Sequence, residues 1–306
     1  MTAARETLSI LIASMGRPSL LNTLSSIEAS TQPDAVAVEI VIADDSNDGA
    51  VARLLSGRPQ PLPIRIVPVG AGNVAIARNA TLEAAQGDWL LLVDDDEYVD
   101  RDWIVPHLGV AAQFSADAVF GPVYPVYPET TPAWFRKADP MFHDLGWADT
   151  GRQIAFGQSG NTLIRAATLH RLNLRFDPAF GRTGGEDDDF FRRMAAQGAK
   201  LVITDRAKAW EVVPAERTSA RYTLDRMTRT GRIYARAVLR GAAFSRRLGF
   251  AIDAAFKLSV ASLAALLLRP LDRARAFRMR MKVSSNIGKL HGLLGGRPND
   301  AWKVGG

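Results

Sequence analysis

Three places in this chain gather carboxylates at spacings that can do chemistry. Asp94-Asp95-Asp96 follows the apolar run Trp89–Val93. A buried strand that ends in consecutive carboxylates delivers hard oxygen ligands into a crevice. Such ligands suit magnesium or manganese, which keep some water and bridge substrate phosphates. A metal there would neutralise a diphosphate leaving group. The competing reading is a solvated acidic turn capping the next helix. Asp44-Asp45 ends a second apolar run, Glu39–Ala43. One of the pair could accept the imide N–H of uracil or the hydroxyls of a ribose, and an Asx turn explains the same residues equally well. Glu186-Asp187 follows Gly184-Gly185. A carboxylate there can take the proton of an acceptor hydroxyl. N-capping, in which an acidic first turn complements the helix dipole, is the alternative, and it suits Asp188 and Asp189 best.

The elements that must position these groups alternate. Leu8–Ala13, Glu39–Ala43, Ile64–Val69 and Trp89–Val93 read as strands. Ser19–Ser30, Val51–Leu55 and Ala75–Gln86 read as helices between them. This alternation predicts an α/β domain with a mostly parallel sheet covered on both faces. Ligands of such sheets bind beyond the carboxyl ends of the strands, where the polar clusters lie. Ala118–Val126, interrupted by Pro122 and Pro125, and Ile154–Arg165 read as later strands, Glu186–Gln197 as a helix and Lys200–Thr204 as a short strand. Tyr127–Thr150, rich in proline and aromatic residues, reads as a long functional loop. Gly70-Ala-Gly-Asn-Val-Ala75 is a degenerate dinucleotide fingerprint, but it follows the third strand rather than the first. Arg78-Asn79 in the next helix better suits a nucleotide or its phosphates.

Composition narrows the classes. The 306 residues are 47% hydrophobic and include no cysteine, which excludes disulfides, thiolate nucleophiles and cysteine-bound metals. The four histidines are scattered, against a histidine-rich metal site. The N-terminus shows no signal-peptide pattern, so a cytoplasmic location is expected. The net charge of +6 is uneven. From Arg217 to Lys282 the only acids are Asp225, Asp253 and Asp272. Leu258–Leu268 is apolar and flanked by Lys257 and Arg269, with further arginines on either side. The run is short for a full crossing, and the pattern fits an interfacial helix on an anionic membrane. Packing on the chain itself, or on a second copy in a homo-oligomer, would also cover it. No nucleic-acid recognition motif accompanies the charge, and no nucleic-acid partner is expected.

Taken in order, Ser9–Pro18, Ile40–Gly49, Ala77-Arg78-Asn79, Gly87–Asp96, Gly160-Asn161 and Gly184–Asp187 resemble glycosyltransferase family 2, the inverting enzymes of GT-A fold, over roughly Leu8 to Arg240. Within that family, the chain resembles bacterial exopolysaccharide-assembly glucosyltransferases. Their Gly-Gly-Glu-Asp turn is likewise followed by a stretch like Trp210–Ser219 and a basic helix like Arg221–Gly231. The resemblance implies a Rossmann-like GT-A domain over 1–216, with a nucleotide half to about 116 and an acceptor half from 117. A basic helical, membrane-associated region follows over 217–306. It implies that Ala13, Arg17, Asp44, Asp45 and Arg78 hold the donor nucleotide and that Asp94 and Asp95 face the ribose or diphosphate. By the same resemblance Asp96 binds Mn2+ or Mg2+, Asp187 is the general base and Glu186 contacts the acceptor.

The implied reaction moves one sugar from a UDP-sugar, foremost UDP-glucose, to a hydroxyl of a lipid-linked saccharide. The enzyme would sit on the inner face of the bacterial cell membrane. Processive relatives carry Gln-x-x-Arg-Trp; here only Arg221-Tyr222 remains, which implies single addition. Some relatives also place a metal-binding histidine near the end of the domain, where this chain has Glu211. A metal-dependent nucleotidyltransferase and a non-catalytic sugar-nucleotide-binding module are the alternatives.

Overall fold

The computed structural model describes residues 6–239 and 241–294. Residues 1–5, Arg240 and the end of the basic region, 295–306, lie outside the described residues. The chain divides into two compact units. The first comprises residues 1–124, 143–182 and 186–211; the second comprises 125–142, 183–185 and 212–306.

The first unit is built on β1 (Glu6–Ser14), β2 (Val36–Asp44), β3 (Ile64–Pro68) and β4 (Trp89–Leu92). Their continuous apolar runs suit strands buried on both faces. β1 pairs in parallel with β2 and β4, and β2 with β3, so all four end on the same edge. Helices α1 (Ser19–Ala29), α2 (Ala50–Leu55) and α3 (Val74–Ala84) form the crossovers. α1 buries Leu20, Thr23, Leu24 and Ile27, the stripe expected of one helical face. α3 starts where the Asn73 side chain accepts the Ala75 and Ile76 amides.

Beyond β4 come β5 (Glu97–Val99), α4 (Ile104–Phe114), β6 (Ala118–Phe120) and β7 (Val123–Val126). α5 (Ala133–Ala138) belongs to the second unit. The first unit resumes with β8 (Gln153–Ile154), β9 (Thr162–Arg165), α6 (Ala166–Leu172), α7 (Glu186–Ala196), β10 (Leu201–Ile203) and β11 (Ala209–Val212). The main sheet has the order β3-β2-β1-β4-β9-β6-β10-β8, and a smaller sheet has the order β5-β11-β7. β9 runs antiparallel to β4 and β6. The sheet is therefore parallel around the predicted crevice and mixed beyond it.

Three expectations need correction. Ala118–Val126 is two strands in two sheets, because Gly121-Pro122 breaks the run. Ile154–Arg165 is also two strands, separated by the turn that carries Gly157 to Asn161. Tyr127–Thr150 contains α5, whose Phe135 is fully buried.

The second unit holds α8 (Ala220–Val238), α9 (Phe244–Leu268) and α10 (Arg273–Leu293) with α5. Phe135, Phe277 and Trp134 cluster edge to face or tilted, and Arg273 lies over the Trp134 ring at 4.3 Å. α8 and α10 approach closely at Gly231 and Gly288, where any Cβ would collide with the facing backbone carbonyl. The apolar run Leu258–Leu268 is not a separate short helix. It continues α9, whose 25 residues are long and apolar enough to cross a membrane by length and composition. Asp253 lies within this helix and pairs with Lys257 one turn on at 2.7 Å.

Candidate active site

Asp44 is the last residue of β2, in register with Ser14 at the end of β1. Its Oδ1 accepts from the Ser46 amide and hydroxyl and its Oδ2 from the Val51 amide, so it caps the turn into α2. Asp45 accepts the amides of Ala71, Gly72 and Asn73, and thereby ties the loop before α3 to the sheet edge. Both carboxylates are buried. The Asx-turn reading describes the local bonding of Asp44, whereas Asp45 bonds a loop distant in sequence. In both, Oδ1 already accepts two donors and Oδ2 one, so each Oδ2 keeps a lone pair for a ligand. Ala13 is half-buried at the same edge, in register with Ala43.

The triplet after β4 is bonded differently. Asp95 is almost fully buried; it accepts the Ser14 hydroxyl at 2.6 Å and faces Arg17 at 3.0 Å. Burial pushes its carboxyl up to about 6, against the pull of Arg17 and the Ser14 hydroxyl. Asp96, one quarter exposed, meets the other end of the same guanidinium at 3.2 Å. Arg17 itself is two-fifths exposed. Asp94 stands apart and accepts from Arg78 at 3.0 Å.

Behind the triplet lies Glu97, to which the sequence reading gave no role. Its Oε2 accepts the Asp94 amide at 3.2 Å, while its own amide donates to the Asp94 carbonyl. Burial, followed by the charges of Asp94, Asp96 and Glu211, raises its pKa well above the usual carboxylate range. Glu211 lies opposite it on β11. The signal was present in sequence as a fourth acid in the run, but strand alternation was needed to turn it inward.

Glu186 and Asp187 open α7 after Gly184 and Gly185, whose positive φ of 81° and 94° permits the turn. Arg78 reaches Glu186 at 2.6 Å as well as Asp94, so one buried guanidinium bridges the α7 start to the triplet. Burial disfavours the Arg78 charge, yet Asp94, Glu186 and Asp187 together raise its pKa. Burial lifts Glu186 to about 7, aided by Asp187 and opposed by Arg78. Asp187 is raised by burial as well, and Arg78 and the Asp188 amide draw it back. Its Oδ1 accepts that amide at 3.0 Å and its Oδ2 the Ser159 amide at 3.4 Å. Asp188 and Asp189 pair with Arg192 and Arg193 one turn along α7.

The fold thus joins Arg17, Asp95 and Asp96 in one cluster and Arg78, Asp94, Glu186 and Asp187 in another. Asp94–Asp96 links the two along the chain. Asp45 connects through Ser14, whose carbonyl accepts the Asp45 amide. Among the described residues no three His, Asp or Glu side chains are grouped to hold a metal by themselves. The oxygen donors present suit a hard cation that completes its shell with water and substrate phosphates, as magnesium and manganese do.

The family model of glycosyl transferase family 2 matches residues 9–172. The chain is 33% identical to the succinoglycan biosynthesis protein ExoM of Rhizobium meliloti (strain 1021) over 281 residues, which cover 91% of this chain and 90% of that protein. It is 34% identical to ExoO of the same organism over 80 residues, which cover 25% of this chain and 22% of ExoO. Among solved structures, S. aureus TarS 1-349 in complex with UDP-GlcNAc aligns with a TM-score of 0.56 at 17% identity, covering 94% of this chain and 91% of that one. A longer TarS chain aligns with a TM-score of 0.55 at 17% identity; 93% of this chain spans 54% of it.

Proposed function

This chain belongs to glycosyl transferase family 2, and from that premise we propose that it is an inverting enzyme of exopolysaccharide assembly. It moves one sugar from a UDP-sugar, foremost UDP-glucose, to a hydroxyl of a lipid-linked saccharide. The observation that carries this reading is the bridge from Glu186 through Arg78 to Asp94, beside Asp187. It ties the start of α7 to the carboxylates at the end of β4.

Asp187 takes the proton of the acceptor hydroxyl as the acceptor oxygen attacks the anomeric carbon. The bond from that carbon to the donor's diphosphate breaks, and its electron pair leaves with UDP. One displacement turns an α-linked donor into a β-linkage. The raised pKa of Asp187 makes it a stronger base than an exposed aspartate, and Arg78 keeps it ionised. Asp44 and Asp45 shape the uridine pocket with Ala13, and Asp95 and Arg17 face the ribose and diphosphate. Glu186 contacts the acceptor. A divalent cation, held by Asp96, would supply charge neutralisation at the departing diphosphate.

The test is UDP release from a panel of UDP-sugars in the presence of manganese and membrane extract, followed by anomeric analysis of the product. A β-linked product that depends on acceptor supports the reading. Pyrophosphate release, or nucleotide binding without turnover, replaces it with the nucleotidyltransferase or the binding module.

The second unit supports attachment to the cytoplasmic face of an anionic membrane. On α9, Leu248, Ile252, Phe256, Val260, Leu263 and Leu267 recur every three or four residues and are all at least half exposed. The buried positions are Ala254 and Ala261. The Asp253–Lys257 pair sits mid-helix, which favours lying in the interface over spanning. Flotation on phosphatidylglycerol vesicles that weakens as salt rises is the expected result. Salt-resistant insertion would indicate a span, and no lipid binding would indicate a protein partner.

A further inference from the structure

The turn that carries Ser159, Gly160 and Asn161 is built far more rigidly than a surface connection requires. Asn161 is fully buried and adopts a left-handed φ of 56°. Its Nδ2 donates to the carbonyls of Pro122 at 2.9 Å and Ala207 at 2.8 Å. That fixes the amide orientation, so Oδ1 is the acceptor. Trp103 Nε1 donates to it at 2.6 Å and His107 Nε2 lies at 2.9 Å. Burial holds His107 down to about 4, so it is neutral and donates from Nε2. Three segments distant in sequence, Trp103 to His107, Pro122 and Ala207, therefore converge on one side chain. None of these four groups has a part in the reaction described above.

What the turn touches gives the clamp a purpose. One residue back, Gly160 lies against Glu97, and a Cβ there would collide with Glu97 Oε1. Glu97 in turn receives the Asp94 amide. Two residues back, the Ser159 amide donates to Asp187 Oδ2. A three-residue turn thus contacts the base on one side and the support of the carboxylate triplet on the other.

We propose that the Ser159–Asn161 turn, clamped by Asn161, is the positioning element that sets Asp187 relative to Asp94–Asp96. This rests on the reading of Asp187 as base. Asn161 is a positioning residue, acting through the Ser159 amide on one side and through Gly160 and Glu97 on the other. The two contacts are separable, so disturbing them should give different kinetic signatures.

Asn161→Ala would empty a buried network and could unfold the chain, so milder changes are the test. Trp103→Phe removes one N–H from the clamp and keeps most of the ring. Gly160→Ala presses a methyl on Glu97. Both are measured in the full chain with the UDP-sugar that gives turnover, alongside UDP binding by calorimetry and thermal unfolding. Trp103→Phe is expected to lower kcat about tenfold with donor KM and UDP affinity unchanged, since small displacements of a reacting group are costly. Gly160→Ala is expected to raise donor KM and weaken UDP binding about tenfold, because it moves the Asp94 turn. A Trp103→Phe enzyme with a lower melting temperature and unaltered kcat would overturn the proposal, as would two variants that shift the same parameter in parallel. Asp187→Asn serves as the reference. If it keeps full kcat, the base reading itself fails. If it loses kcat while Trp103→Phe does not, only the positioning role fails.

Discussion

Asp44-Asp45 and Asp94-Asp95-Asp96 look alike in sequence, both being acidic runs at the carboxyl ends of parallel strands two places apart in one sheet. The structure treats them oppositely. The first pair is held chiefly by backbone amides: Val51 and Ser46 on Asp44, and Ala71, Gly72 and Asn73 on Asp45. The triplet is balanced chiefly by side chains, with Arg17 on Asp95 and Asp96 and Arg78 on Asp94. Amides are part of the fold and stay where they are. The part-exposed Arg17 guanidinium, on its long stem, can turn toward an arriving diphosphate and leave Asp96 for a cation, whereas buried Arg78 stays as a bridge. The first cluster is thereby tied into the fold, and the second is balanced by side-chain charge.

The sharpest way to break this comparison is to truncate one member of each cluster. Asp96→Ala is expected to reduce turnover about 10³-fold with little change in melting temperature, since it removes charge organisation at the leaving group from a part-exposed carboxylate. Turnover at saturating manganese and thermal unfolding check both halves. Asp45→Ala should do the reverse in kind: three amides lose their acceptor, and stability falls by about 2–4 kcal/mol in urea unfolding. Equal stability losses in the two variants would erase the distinction.

A smaller effect concerns Glu186, whose pKa is raised by burial to about 7. A group whose folded pKa lies above its unfolded value contributes stability in full below the unfolded pKa. That contribution is lost as pH rises through the folded one. The melting temperature of the ligand-free protein should decline from about pH 4.5 to 7, and Glu186→Gln should flatten the decline by roughly 3 °C. An unchanged slope would mean that Arg78 fully compensates the buried charge.

Much of this was legible in the residues. The unbroken apolar runs of β1 to β4 placed the sheet and its working edge, and the acidic run opening α7 placed the helix start. Misread segments have identifiable causes. Pro122 and Pro125 are visible as interruptions of Ala118–Val126, but only the pairing shows that the break at Gly121-Pro122 sends the two parts to different sheets. The apolar run Leu258–Leu268 looks short for a crossing, but the helix that carries it starts at Phe244 and runs through Asp253. Within the site, the acids were visible, but the guanidinium bridge was not. Arg78 lies 108 residues from Glu186, and only the fold brings them together. Asn161 was likewise visible as part of a motif, while its four partners are distant in the chain.

The central claim is that Asp187 removes the acceptor proton while donor binding rests on other residues. The most direct test compares UDP affinity and single-turnover transfer for the wild-type enzyme and Asp187→Asn. The account predicts unchanged UDP binding and a fall in transfer of about 10³-fold, as expected when a general base is lost. A loss of UDP affinity in proportion to the loss of transfer would contradict it and assign Asp187 to the donor site.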